Sequence, residues 1–161
     1  MSQFSLFLYL DSFFILFLSF HSSGKGTYKY DIASDTWTKK ADLKIGRRDH
    51  SCAVIKDGEK LKVAIIGGIG GSYLSSVEIY DPAEDSFIDG PPLPVATSSA
   101  EVVADLKGGV ILIGGDTDSG SSDTLYRLPD LASGWVKMTQ KLPSARDWHT
   151  AIAVSDKVVK C

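Results

Sequence analysis

The sequence contains no asparagine, only two cysteines and three histidines, and no lysine or arginine before Lys25. Without asparagine there is no acceptor for N-linked glycosylation. Two cysteines are too few for a disulfide framework, and their positions match no zinc site. The net charge of −3 provides no basic surface for nucleic acid or for an anionic membrane. These absences favour a reducing, intracellular setting and argue against a nucleic-acid-binding protein.

A hydrophobic, aromatic-rich segment at residues 4–20 differs from the rest of the sequence. A signal peptide begins with a basic region, which this segment lacks. A membrane span needs about 20 apolar residues, whereas this run is shorter and contains Asp11. Two interpretations of residues 1–23 stay open: a signal or membrane anchor, or a non-native start. A cytoplasmic location is favoured, and residues 4–20 leave a secreted or membrane-anchored location open. Contact with a membrane is expected only if residues 4–20 insert.

Three independent markers recur along residues 24–161. The first is a tyrosine with a downstream aromatic residue, and it occurs as Tyr30 with Trp37, Tyr80 with Phe87, and Tyr126 with Trp135. The second is a leucine before a short polar segment, at Leu43, Leu93 and Leu142. The third is a glycine pair after an apolar run, at Gly67–Gly68 and Gly114–Gly115. Since all three recur at a similar period, they indicate an internal repeat.

Each period predicts four short strands separated by turn signals. The predicted strands are 50–56, 61–67, 74–80 and 85–89 in the second unit, and 100–105, 109–114, 123–128 and 134–139 in the third. The first unit keeps only two strands, 27–32 and 36–40, and the last keeps one strand and a stub. The second strand of each complete unit is apolar on both faces, which is typical of a strand buried between stacked sheets.

The glycine pairs raise the question of a phosphate-binding loop. After Gly68 the GxGxxG pattern fails at its last glycine, no amphipathic helix follows, and no GK[ST] motif occurs. A glycine pair after a doubly buried strand is explained instead by the close approach of a neighbouring sheet and a turn with positive φ. We therefore interpret the pairs as structural, and we expect no cofactor.

These motifs resemble the kelch repeat, whose units form the blades of a β-propeller. The resemblance implies an all-β fold, a partial β-propeller built of four-stranded antiparallel kelch blades. The expected domains are the leader 1–23 and the repeat region 24–161, divided into a partial blade 24–45, blades 46–95 and 96–144, and a partial blade 145–161. The residues expected to form the structural repeat motif are Gly67, Gly68, Tyr80, Gly114, Gly115, Tyr126, Trp37 and Trp135.

Arginines at equivalent repeat positions are the candidate partner-binding residues. In kelch-type adaptors the matching arginines lie towards the mouth of the channel, so Arg47 and Arg146 are expected to contact acidic or polar segments of a partner. The alternative is a structural hydrogen bond between blades. Ser72 and Tyr73, in the variable loop between the second and third strands, are further candidates.

Histidines also stand at equivalent positions, His50 and His149, and the resemblance makes them structural first. A metal ring on the propeller axis is the alternative, but Ala100 interrupts it. The resulting interpretation is a protein–protein interaction module of kelch type, the substrate-recognition part of a larger adaptor, here truncated. The alternatives are a fragment of a kelch-propeller enzyme, copper oxidase-like or sugar epimerase-like, and a secreted or membrane-tethered fragment. A protein partner is expected, or self-association that covers the open blades.

Overall fold

The computed structural model describes the backbone of residues 14–18 and the whole of residues 23–154. Within these ranges the chain forms strands and no helix. The first sheet has the order β1-β2-β3 and contains β1 (Phe14–Leu18), β2 (Thr27–Asp31) and β3 (Thr36–Lys39). The hydrophobic segment at residues 4–20 lies outside the described residues except for the backbone of β1.

Two four-stranded antiparallel sheets follow. The second sheet is a meander of β4 (Ser51–Asp57), β5 (Lys60–Ile66), β6 (Val77–Asp81) and β7 (Ser86–Asp89). The third has the order β8-β9-β12-β13 and contains β8 (Glu101–Ala104), β9 (Val110–Ile113), β12 (Thr124–Leu128) and β13 (Val136–Lys141). A small hairpin of β10 (Asp116–Thr117) and β11 (Gly120–Ser121) projects between β9 and β12. The predicted all-β fold of four-stranded antiparallel sheets is confirmed, and the described sheets do not close into a ring.

The two incomplete units differ from the prediction. The first sheet has one strand more than the two predicted, because β1 pairs along its whole length with β2, from Phe14 opposite Asp31 to Leu18 opposite Thr27. The strand predicted for the last unit does not form within residues 149–154. No strand of the described chain lies beside this segment to pair with it. The domain boundary at residue 23 stays a prediction.

Strand β5 separates two hydrophobic clusters. Ala64 and Ile66 pack in one cluster, which extends to β8, β9 and β12 of the third sheet. Val63 and Ile65 pack in the other, which reaches Leu43 in the segment after β3. Because side chains alternate between the faces of a strand, β5 is buried on both sides. The second and third sheets are therefore stacked face to face, as the apolar run "VAII" predicts, and the segment after β3 covers the other face of the second sheet.

The glycine pairs end these buried strands in the left-handed region, with φ of 63° and 97° at Gly67 and Gly68 and of 59° and 100° at Gly114 and Gly115. A Cβ on Gly68 would lie 2.6 Å from the carbonyl oxygen of Arg48, and one on Gly114 would lie 2.6 Å from that of Arg146. Side chains are thus excluded both by backbone conformation and by the neighbouring loop. The positive φ values and the close approach of the loops account for both glycine pairs in structural terms.

In the third unit, the repeat position equivalent to Tyr80 lies two residues after Tyr126, the residue assigned to it from the sequence. In the second sheet Tyr80 lies opposite Val63 and Phe87, whereas the equivalent register in the third sheet, opposite Val110, is occupied by Leu128. Tyr126 lies opposite Leu112, at the register that Glu78 occupies opposite Ile65. The assignment of Tyr126 to the repeat motif was wrong because it followed residue identity rather than strand register.

Candidate protein-interaction surface

The loops of the second and third units meet at the end of the stack where the glycine pairs lie. Gly68 donates a backbone hydrogen bond to Thr97 across 2.9 Å. Isolated bridges join Arg48 to Ile69 and Ser98 to Asp116. Loops from different repeats therefore form one continuous surface, held by backbone contacts.

Three repeat-equivalent residues at this end adopt the left-handed conformation although none is glycine. They are Asp49, Ser99 and Trp148, with φ of 54°, 50° and 50°. The backbone N–H of Ser99 donates to the carbonyl of Asp49, at 2.8 Å, and that of Trp148 donates to the carbonyl of Ser99, at 2.9 Å. Such conformations in non-glycine residues persist only where the surrounding structure imposes them. The stacking of the repeats imposes this turn at each unit.

Tyr73, a predicted candidate, connects the loops of two units. Its hydroxyl donates to Oδ2 of Asp116 across 2.6 Å. This hydrogen bond, then burial and the negative charges of Asp116, Asp118 and Asp147, raise the pKa of the Tyr73 phenol. The neighbouring candidate Ser72 is exposed, and its carbonyl accepts the N–H of Gly70 at 3.0 Å. The predicted loop candidates thus lie on this surface.

Further polar groups lie in the loops at this end of the sheets. Nη1 of Arg48 lies 2.6 Å from Oδ2 of Asp49, and the Ser121 hydroxyl donates to Asp147 at 2.7 Å. We call this set the loop surface: Arg48, Asp49, Ser72, Tyr73, Asp116, Asp118 and Asp147. Its four aspartates and one arginine give it a negative balance. The sequence did not predict this grouping, because Asp49, Asp116 and Asp147 come from loops far apart in the chain.

Arg47 does not belong to the loop surface, contrary to the prediction. Its side chain is completely buried and donates to the carbonyl oxygens of Gly67 and Ser76, at 2.8 and 3.0 Å. Its Nη2 lies 2.7 Å from Oε1 of the equally buried Glu78. Because the next sheet covers the guanidinium completely, Arg47 is a structural link between units, which was the alternative interpretation.

Arg146, the other predicted arginine, is exposed and donates locally to the hydroxyl of Ser144 at 2.8 Å. The two arginines occupy equivalent positions in the repeat. They differ in surroundings because the second sheet follows Arg47, whereas no described sheet follows Arg146. The structure therefore does not bring Arg47 and Arg146 together.

The two predicted histidines lie beside the glycine pairs. A Cβ on Gly68 would approach that of His50 to 2.9 Å, and one on Gly114 would lie 3.1 Å from Cε1 of His149. Burial, with a contribution from the charge of Arg47, lowers the pKa of His50 to about 3. Burial also lowers the pKa of His149. Both imidazoles are thus held neutral at physiological pH and pack in the structure.

Comparisons with known proteins agree with this architecture. The family model described as "Kelch motif" matches residues 64–94, which include the end of β5, the glycine pair, Tyr80 and Phe87. The chain is a kelch-repeat protein. It is 30% identical over 145 residues to beta-scruin of Limulus polyphemus, which covers 85% of this chain and 15% of that protein. It is 35% identical over 101 residues to human kelch-like protein 35, which covers 62% of this chain and 16% of the relative.

A third relative is kelch-like protein 15 of Danio rerio, 28% identical over 154 residues, or 86% of this chain and 24% of that protein. The kelch-repeat chain therefore spans at most about a quarter of the length of these relatives. Among residues 23–154 no group of three or more His, Cys, Asp or Glu side chains is placed to hold a metal ion. The same part of the chain contains no helix long and apolar enough to cross a membrane.

Proposed function

We propose that this kelch-repeat chain is a protein-interaction module that binds its partner through the loop surface. The supporting observation is the hydrogen bond from Tyr73 to Asp116, which joins the variable loops of two successive repeats into one binding surface. Loops carried on a rigid sheet scaffold are the usual place for recognition residues. The similarity to kelch-like proteins supports a role in binding rather than catalysis.

The charge of the loop surface indicates the kind of partner segment it suits. Asp49 lies beside Arg48, and Asp116 accepts from Tyr73, so each of these carboxylates is held in place within the chain. Asp118 is exposed at the tip of the β10–β11 hairpin. A polar segment carrying lysine or arginine would complement this negative balance. A role in substrate recognition within a larger adaptor, and a cytoplasmic location, are parts of the same proposal and derive from the sequence.

A matched pair of charge reversals tests the proposal. Asp118→Lys changes the loop surface, whereas Glu59→Lys makes the same change in the exposed turn between β4 and β5, at the opposite end of the sheets. Each chain is used as bait in the same cell lysate, and captured proteins are quantified by mass spectrometry. Proteins that bind through the loop surface are expected to be lost with Asp118→Lys and retained with Glu59→Lys.

The proposal would be contradicted if both variants retained the same partners, or if both lost them equally. A second variant, Tyr73→Phe, removes only the hydroxyl that joins the two loops. It is expected to weaken capture of the same proteins by a smaller factor, because the loops keep their backbone contacts. Circular dichroism of each purified chain checks that the sheets are intact.

A further inference from the structure

Four serines in the sequence stand three residues after an aspartate. They are Ser34, Ser119, Ser121 and Ser133. Kinases select their substrates by patterns of charge, and an acidic residue three positions before a serine is a pattern that acid-directed serine/threonine kinases recognise. The sequence presents the four serines alike, whereas their surroundings in the structure separate them.

Two of these hydroxyls donate to carboxylates. Oγ of Ser34 donates to Oδ1 of Asp31 across 3.1 Å, and Oγ of Ser121 donates to Oδ2 of Asp147 across 2.7 Å. Hydrogen bonds to charged groups are among the stronger ones in proteins. Each hydroxyl would have to break such a bond before it could accept a phosphoryl group, so the fold protects both serines.

Ser133 resembles Ser119 in sequence, since each follows an aspartate by three residues and precedes a glycine. The backbone N–H of Ser133 donates to Oδ1 of Asp130 across 2.8 Å. Hydrogen bonds from the hydroxyl and the N–H of Ser133 lower the pKa of that carboxyl. Both polar groups of Ser133 are therefore directed to its own aspartate.

Ser119 differs because its hydroxyl is free. The residue is exposed at the tip of the hairpin formed by β10 and β11, and its hydroxyl has no hydrogen bond within the part of the chain that the structure describes. The aspartate three residues before it, Asp116, accepts the hydroxyl of Tyr73 instead. The hairpin has only two residue pairs, and so short a hairpin opens at little cost. A kinase can therefore take this segment in extended form.

We propose that Ser119 is a phosphorylation site for an acid-directed serine/threonine kinase. The kinase transfers the γ-phosphoryl group of ATP to Oγ of Ser119. The bond from Oγ to phosphorus forms, the bond from phosphorus to the β-phosphate oxygen breaks, ADP leaves, and the hydroxyl proton passes to the carboxylate base of the kinase.

The phosphate adds about two negative charges beside Asp118, on a loop surface that already has four aspartates and one arginine. Tighter binding of a segment that carries lysine or arginine follows from this charge. This regulatory effect rests on the proposed function, whereas the modification of Ser119 does not.

Purified casein kinase 1, which selects an acidic residue three positions before the serine, tests the site on the full folded chain with ATP. Phosphopeptide mapping by mass spectrometry is expected to place the phosphate on Ser119. Its rate should exceed that at Ser34 or Ser133 by about tenfold or more, the cost of breaking one hydrogen bond to a charged group. Ser119→Ala is expected to remove the incorporation, and the matched control Ser133→Ala is expected to leave it unchanged.

A synthetic peptide of residues 127–138 presents Ser133 to the same kinase outside the fold. We expect this peptide to be phosphorylated, because the fold and not the sequence protects Ser133. Absence of phosphate from Ser119 in the folded chain would overturn the inference, and so would equal rates at Ser119 and Ser133 there. A peptide as unreactive as Ser133 in the folded chain would also overturn it, since the fold would then not separate the two serines.

The regulatory effect is measured by capture from the same cell lysate, with the phosphorylated chain and with Ser119→Ala treated in the same way. The proteins that Asp118→Lys loses are expected to be captured about two- to fivefold more by the phosphorylated chain, the range for an exposed charge pair. No gain, with Asp118→Lys still losing these proteins, would overturn the regulatory effect and leave the proposed function in place. If Asp118→Lys and Glu59→Lys retain the same proteins, the proposed function fails, while the mapping still decides whether Ser119 is the site.

Discussion

A buried arginine and a buried glutamate hold the first two units together. The Arg47 guanidinium has four hydrogen bonds to Gly67, Ser76 and Glu78, so its charge is compensated where solvent is excluded. The sequence places Arg47 and Arg146 in equivalent positions but does not reveal which of them is covered. Burial depends on whether a sheet follows in space, and a single chain position does not encode that. The prediction of a partner-binding role therefore failed at Arg47.

Removing one member of this pair leaves a buried charge without compensation. Glu78→Gln is expected to lower the free energy of unfolding by about 3 kcal/mol, measured by urea denaturation. Asp89→Asn is the matched control, because Asp89 lies directly opposite Glu78 on β7 and pairs with Lys44 at 2.9 Å while its side chain is 80% exposed. The control is expected to change stability by less than about 0.5 kcal/mol. Equal effects of the two substitutions would contradict this account of the junction.

His50 makes stability dependent on pH. Its pKa falls from 6.5 to about 3 in the folded chain, so the unfolded chain takes up a proton first as the pH is lowered. The contribution is therefore complete above pH 6.5 and is lost as the pH falls towards 3, by up to about 1.4 kcal/mol per pH unit. His50→Gln is expected to show a shallower loss between pH 6 and 4 in urea titrations. Parallel curves for the two chains would contradict the burial of a neutral imidazole.

At the scale of elements, strand positions and turns were readable from the sequence. The pattern of β-branched residues and glycines predicts β5 and β9 within one residue of their bounds, because a doubly buried strand needs an unbroken apolar run. The sequence did not show which residue of β12 occupies the repeat position of Tyr80. The seven-residue spacing from Tyr30 to Trp37 and from Tyr80 to Phe87 holds in the third unit from Leu128 to Trp135. Spacing was thus the better guide than tyrosine identity.

Gly68, the second glycine of the first pair, allows a steric test with an internal control. Gly68 and Gly71 have similar φ, 97° and 103°, but a Cβ on Gly71 would meet nothing within 4 Å. Gly71→Ala is expected to cost about 1 kcal/mol for the backbone conformation alone. Gly68→Ala adds overlap with the Arg48 carbonyl and is expected to cost about 2 kcal/mol more. Thermal unfolding of both variants measures the difference, and equal losses would show that the loop does not press on Gly68.

On the scale of the whole molecule, the described chain contains three sheets, of which the second and third are stacked, with loops gathered at one end. The sequence predicted the repeat, the stacking and the kelch resemblance, because these depend on patterns within each unit. The loop surface could be predicted only in part. Tyr73 and Asp116 are 43 residues apart, and only the stacking of two sheets brings them together. In the proposed function, the partner is recognised by residues that such contacts between units bring together, so a single repeat does not specify it.

The central claim is that the third sheet stacks on the second and that no described strand lies beside residues 150–154. Amide hydrogen exchange tests this claim residue by residue. Buried strands are expected to exchange slowest, so the amides of residues 63–66 in β5 should show the greatest protection. The amides of residues 150–154, which align with β4 but have no strand beside them in the described chain, should exchange almost as fast as an unfolded peptide. Protection of residues 150–154 equal to that of β4 in the isolated monomer would contradict the account.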